Sequence, residues 1–195
     1  MRLILASKSP RRSQLLHESG YQFVVQSQDT DESFPPEMAA EAVAPFLAEK
    51  KALACRNFLT HADDLLLTAD SVVLLGNQVV NKPENEADAL LMLRSLQNTE
   101  HRVVTGVCLL SQTKKLVFSE ITHVSVAAMS DDDILFYIKN YNPLDKAGSY
   151  GIQDWLGLNF VTGIKGSYTN VMGLPTARVR QEIAAFMEHF KTIGV

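Results

Sequence analysis

Apolar and polar positions divide the chain into short segments that switch between a strand period and a helix period. Leu3-Ile4-Leu5-Ala6 is an unbroken apolar run, the pattern of a short buried strand. Pro10 suits the first position of a following helix, Ser9 its N-cap, and Gly20 its C-terminal stop. Gln22 to Gln26, centred on Phe23-Val24-Val25, reads as a second strand. A polar, proline-containing loop then carries Asp29, Asp31 and Glu32. From Glu37 to about Phe58, Val43, Phe46, Leu47, Ala54 and Phe58 fall near one helical face, which Lys50 and Lys51 interrupt.

Leu65 to Ala69 predicts a buried strand running into Asp70. The next strand, Ser71 to Leu75, meets Gln78 to Val80 across Gly76-Asn77, a pair suited to a tight hairpin. Asn85 to Leu96 has early acids and inward Leu90, Leu93 and Leu96, which predicts a helix. Two long strands follow, His101 to Ser111 and Leu116 to Ala127. Ser130 caps a helix whose first turn holds Asp131, Asp132 and Asp133, where the helix dipole favours negative charge, so the trio reads as structural. Asn142 to Gly157 reads as loop, Leu158 to Val161 as a short strand, and Gly163 to Pro175 as a glycine-containing connection. Val179, Ile183, Phe186, Met187 and Phe190 form the core stripe of a last helix. The interleaving, without repeat or linker, predicts a single α/β domain over residues 1–195. Its expected form is a mixed twisted sheet with helices on both sides and two lobes around a central cleft.

Composition narrows the function classes. A chain of 195 residues that is 46% apolar supports one sizeable core. A net charge of −4 argues against binding nucleic-acid polymers or acidic membranes, so any polyanion site is local. Cys55 and Cys108 lie in apolar contexts without metal-ligand spacing and read as buried free thiols in a reducing compartment. The apolar stretch before Ser7 is too short for a secretory segment and no run approaches membrane-spanning length, so the expected setting is the cytoplasm.

Chemistry concentrates at a few places. Ser7-Lys8-Ser9-Pro10-Arg11-Arg12 puts two arginines in the first turn of a helix, where unpaired N–H groups already favour an anion such as phosphate. An ordinary capped helix with solvated arginines fits the spacing equally well. Asp70, expected at the carboxyl end of a buried strand, is costly there unless paired, metal-bound or functional. Glu32 offers a second carboxylate, and the pair would suit Mg²⁺, although an exposed loop acid is commonplace. Lys51 and Lys82 taken singly read as solvated lysines. Asp145 to Gln153 holds two glycines around Tyr150, which implies either close backbone approach to a ligand or a tight structural loop. His101 reads as a satisfied histidine. The phosphate-loop, dinucleotide, zinc-protease, paired C-x-x-C and nucleophile-elbow motifs are all missing.

Taken together, Ala6 to Arg12 with Leu15-Leu16, Asp31-Glu32, Leu47-Ala48 with Lys51-Ala52, Thr68 to Val73, Lys82-Pro83, His101 to Gly106, Asp145 to Gln153 and Gly166 to Pro175 resemble the Maf family of nucleoside triphosphate pyrophosphatases. The blocks occur in family order over nearly the whole chain. The resemblance implies an often dimeric cytoplasmic enzyme that uses a divalent cation, Mg²⁺ or Mn²⁺, to split a nucleoside triphosphate into monophosphate and pyrophosphate. Asp70 would be the proton acceptor. Arg12, Ser71 and Gln153 would occupy specificity positions; Ser7, Arg11, Arg12, Lys51 and Lys82 would bind phosphate; Glu32 and Asp70 would hold the metal. Arg11-Arg12, Asp70-Ser71 and Ile152-Gln153 resemble the branch acting on dTTP and UTP rather than that acting on 7-methyl-GTP. A nucleotide-binding regulator of cell division is the rival class. Ser71 stands where this branch more usually has threonine, and Asp154 where glycine often follows Ile-Gln.

Overall fold

The computed structural model describes residues 1–193, with side chains up to Glu188, so Phe190 of the predicted stripe lies outside the described side chains. Strand β1 (Arg2–Leu5) leads into helix α1 (Pro10–Glu18), then strand β2 (Phe23–Val25) and helix α2 (Ala40–Ala54). Strands β3 (Asp64–Leu75) and β4 (Gln78–Val80) form the hairpin predicted at Gly76-Asn77, with Gly76 at φ +58°. Helix α3 (Glu86–Leu96), strands β5 (Thr99–Leu110) and β6 (Lys115–Val126) and helix α4 (Asp131–Tyr141) follow. The chain ends through α5 (Trp155–Phe160), β7 (Val161–Lys165), α6 (Tyr168–Met172) and α7 (Thr176–Ile193).

One mixed sheet of seven strands runs β2-β1-β3-β5-β6-β7, with β4 also on β3. β1 is parallel to β2 and β3, and the other pairs are antiparallel. Because side chains alternate across a strand, each strand feeds both faces. On one face Ile4, Leu66, Val72, Leu74 and Val104 pack under α2. The other face is divided. Leu3, Leu5, Leu65 and Leu67 pack with Leu15 and Leu16 of α1 and Val179, Ile183 and Phe186 of α7, whereas Val73, Val103 and Val124 pack with α3 and α4. Two lobes result, as expected, with a seam between them.

The seam coincides with a gap along β3. β5 pairs one edge of β3 from Leu66 to Leu74; on the other edge β1 takes residues 64–67 and β4 takes 73–75. Thr68 to Val72 therefore has no strand partner on that edge, and a cleft opens there.

Three expectations need correction. β3 is one continuous strand rather than two, so Asp70 lies mid-strand instead of at a carboxyl end. Its backbone stays extended because β5 carries it through without a break. Leu158, expected in a strand, is in α5 and 78% exposed; Gly157 lets this short helix press on the Ile152 carbonyl, which a Cβ would approach to 2.0 Å, and the strand starts only at Val161. α2 begins at Ala40, not Glu37, and ends at Ala54, followed by a separate 3-10 turn over Arg56–Phe58. Among the described residues no helix is long and apolar enough to cross a membrane.

Candidate active site

The cleft has a volume of about 390 Å³ and is lined by Ser7, Arg11, Arg12, Glu32, Lys51, Asp70, Ser71, Lys82 and Gln153, every candidate site residue of the sequence. A volume of that size suits a small-molecule ligand. Side chains more than 140 positions apart in sequence reach it because β1, β3, α2 and the loop after α4 all end at or cross the gap in the sheet.

A basic corner of the cleft forms where β1 hands over to α1. Ser9 is the N-cap by position, yet its hydroxyl makes no capping bond; its N–H instead donates to Ser7 Oγ at 3.2 Å. Pro10 at the first helical position leaves the N–H groups that follow it facing the cleft end of α1. Arg12 donates from Nε to the Gly173 carbonyl at 2.8 Å and from Nη2 to Ser71 Oγ at 3.1 Å, so its guanidinium is held rather than solvated. Burial lowers its pKa, with Asp70 opposing and Arg11 adding to the effect. Arg11 crosses the cleft to Asp145 at 3.2 Å.

Asp70 and Glu32 converge on one cation of the protein. Lys51 donates to Asp70 Oδ1 and, at 2.7 Å, to Glu32 Oε1, while Lys82 stands 3.7 Å from Glu32 Oε2. Burial pushes the Glu32 carboxyl up, but the Lys51 hydrogen bond and the charges of Lys51, Lys82 and Arg12 outweigh it and hold the group below its ordinary value. Gly106 sets the distance between these elements. It lies opposite Asp70 on β5, and a Cβ there would stand 2.2 Å from the Pro45 nitrogen, so only glycine lets the α2 backbone come this close. Thr68 donates to the Ala48 carbonyl at 2.6 Å and locks the same contact one turn before Lys51.

A second polar chain runs behind the cleft. Ser71 Oγ and Thr105 Oγ1 are 2.8 Å apart; Thr105 donates to the Asn170 carbonyl at 3.1 Å; and Asn170, fully buried, donates to Thr122 Oγ1 at 2.9 Å and to the Val103 carbonyl at 3.1 Å. It ties β3, β5, β6 and α6 together under Arg12. Thr105 and Asn170 were not singled out from the sequence, although both fall inside the motif blocks. His101 Nε2 meets the Tyr150 hydroxyl at 2.7 Å behind the glycine loop, its Nδ1 has no hydrogen-bond partner among the described residues, and burial lowers the imidazole to about 4. The expectation of a satisfied histidine therefore holds for one ring nitrogen only. Cys55 and Cys108 are buried free thiols, as expected, and burial pushes Cys108 up to about 12. Ser130 and Asp133 form the expected capping box.

A divalent cation can be tested against these donors. Glu32 and Asp70 are hard oxygen ligands, and among the described residues no group of three or more His, Cys, Asp or Glu side chains could hold a metal. Two carboxylates without a protein cage match Mg²⁺ or Mn²⁺, for which substrate phosphate completes the shell. The donor chemistry fits.

Comparison with known proteins gives one family. The sequence model described as "Maf-like protein" matches residues 2–186. The dTTP/UTP pyrophosphatase of Flavobacterium johnsoniae is 43% identical over 95% of this chain and 95% of its own. That of Phocaeicola vulgatus is 46% identical over 93% of this chain and 94% of its own. Among solved structures, the Ham1 protein of Staphylococcus aureus overlays with a TM-score of 0.48 at 13% identity, covering 65% of this chain and 72% of that one.

Proposed function

Since the chain belongs to the Maf family, we propose that it is a nucleoside triphosphate pyrophosphatase that cleaves dTTP and UTP, with a divalent cation, to the monophosphate and pyrophosphate. The observation that carries the reading is the position of Asp70. It lies at the one stretch of β3 with a free edge, held by Lys51 and facing a cleft whose opposite wall is the arginine-bearing start of α1.

The triphosphate lies over the α1 N-terminus, where Arg12 is already oriented by Gly173 and Ser71. Arg11 exchanges Asp145 for a phosphate oxygen, and Lys51 and Lys82 neutralise charge from the other wall. Asp70 orients the attacking water at the α-phosphorus and accepts its proton. Glu32 and Asp70 would hold the metal, which when bound supplies charge neutralisation of the phosphates. Preorganised positive groups of this kind usually supply more of the rate than the base does.

For the base, the supporting observation is Gln153. Its Oε1 is buried without a hydrogen-bond partner among the described residues, and leaving such an acceptor unmet costs about 1–3 kcal/mol. The ring N–H of uracil or thymine would satisfy it, and pyrimidines modified away from that edge are expected substrates for the same reason. The test is pyrophosphate release from dTTP, UTP, CTP, GTP, ATP and 7-methyl-GTP, with and without Mg²⁺ or Mn²⁺. Metal-dependent release from dTTP and UTP supports the proposal. Release from 7-methyl-GTP alone overturns the specificity, and stoichiometric binding without any product favours a regulator.

A further inference from the structure

Gln153 can serve either of two hydrogen-bonding patterns, because a primary amide offers an acceptor at one end and a donor at the other. Uracil and thymine carry a ring N–H where cytosine carries a bare ring nitrogen. Which end of the amide meets the base therefore decides between them, and something in the protein must fix the amide's orientation.

Asp154, the residue that follows Gln153, is placed to do so. The loop folds so tightly that a Cβ on Gly151 would lie 2.5 Å from Asp154 Oδ2 and 3.0 Å from Gln153 Nε2. The carboxylate and the NH₂ end of the amide thus flank the same point. A carboxylate repels an amide oxygen and attracts an amide NH₂, and Gln153 Oε1 is buried without a hydrogen-bond partner among the described residues.

Asp154 Oδ2 is itself held by two side chains. The hydroxyl of Tyr137, a side chain of α4 with no exposure, donates to Asp154 Oδ2 at 3.1 Å and accepts the Gly151 N–H at 3.1 Å. Lys146 stands 3.4 Å from the same oxygen and 3.3 Å from Asp145. Tyr137 therefore ties both ends of the turn, Gly151 and Asp154, around Gln153.

We propose that Asp154, fixed by Tyr137 and Lys146, is a positioning residue for base selection. It holds the NH₂ of Gln153 on the Gly151 side of the loop and so presents the oxygen to the base, selecting a ring N–H donor over a ring acceptor. The proposal rests on the pyrimidine reading above.

The experiment compares kcat and KM for UTP and CTP in the wild-type enzyme, Asp154→Asn and Tyr137→Phe. Asparagine keeps the size of Asp154 but lets either end face Gln153. The preference for UTP over CTP is expected to fall about tenfold, the worth of one misoriented hydrogen bond, through a higher KM for UTP and a lower KM for CTP. Asp154→Glu, which keeps the charge, is expected to recover part of the preference. Tyr137→Phe removes only the hydroxyl and is expected to shift the preference in the same direction by a smaller factor; it carries the test if Asp154→Asn does not fold. A wild-type enzyme without preference for UTP over CTP defeats the pyrimidine reading and the inference with it. A wild-type preference that survives unchanged in the folded variants overturns the inference alone.

Discussion

Two buried aspartates on β3, Asp64 and Asp70, stand six positions apart, each paired with a basic side chain, and they serve opposite ends. Asp64, 1% exposed, accepts from Arg2 Nε at 2.8 Å, Arg2 Nη2 at 2.6 Å and the backbone N–H groups of Thr60 and His61, each at 2.8 Å. That carboxylate is met by both ends of one guanidinium and by two backbone amides. Asp70, 8% exposed, accepts from Lys51, a long side chain shared with Glu32, and lines the cleft. A carboxylate met by backbone amides and a two-pronged arginine away from the cleft is structural, whereas one whose side-chain partner is a single lysine shared with a second carboxylate, beside an open strand edge, is available for chemistry. Burial and charge alone do not separate the two cases; the kind and number of donors and the place on the strand edge do.

Asp70→Asn has the largest expected effect. It should lower kcat for UTP by about 10²- to 10⁴-fold, the usual contribution of a positioned base, while circular dichroism shows an intact fold. An asparagine variant with near-wild-type turnover would sink the base assignment.

Lys51→Met tests the shared cation. Losing its charge should lower turnover by roughly 10²-fold, in line with other electrostatic groups of active sites. Two carboxylates would be left without their shared counter-charge, so Mn²⁺ in the absence of nucleotide should bind more tightly than to the wild-type protein. Electron paramagnetic resonance of free Mn²⁺ measures this, and weaker binding would contradict the role given to Lys51.

His101 is an intermediate case, a buried group with one nitrogen paired and the other without a partner among the described residues. Burial holds its folded pKa at about 4, against about 6.5 for the free side chain. As pH falls below about 6.5 the unfolded chain takes up the proton first, so stability is complete above that pH and declines toward pH 4. The wild-type protein should lose on the order of 2–3 kcal/mol over that window, and His101→Gln should flatten the loss. Urea midpoints measured across the window check it; identical slopes would show that another group titrates.

Asp64→Asn closes the comparison with the smallest effect. The Arg2 bond, ahead of the Thr60 and His61 amides, overcomes burial and holds Asp64 at about 2, below the free value of about 4. Its contribution is therefore complete above about pH 4 and lost as pH falls toward 2. The variant should be less stable at neutral pH by on the order of 1–2 kcal/mol, a figure reduced because Arg2 is partly in solvent, with turnover retained. A loss of turnover in a fully folded variant would break the distinction between the two aspartates.

Much of the fold was legible because local pattern and final environment agree. The apolar run at Leu3 to Ala6, the Gly76-Asn77 turn and the Ser130 cap each carry a local physical cause. The course of β3 is not legible locally because Asp70 looks like an end, while the neighbour that keeps the strand going, β5, lies more than thirty residues away. The helix at Trp155 was hidden because it is short and one of its leucines faces outward. In the site, Lys51 was visible as a charge on an apolar helical face, but the reason for it, Asp70 across the sheet, is a tertiary fact. Tyr137, Lys146, Thr105 and Asn170 act through contacts that only the topology creates.

The most direct test of the central claim is pyrophosphate release from UTP in the presence of Mg²⁺, measured side by side for the wild-type protein, Asp70→Asn and Asp64→Asn. The account predicts release by the wild type and by Asp64→Asn and almost none by Asp70→Asn, all three folded. Equal release by Asp70→Asn and the wild type would contradict it.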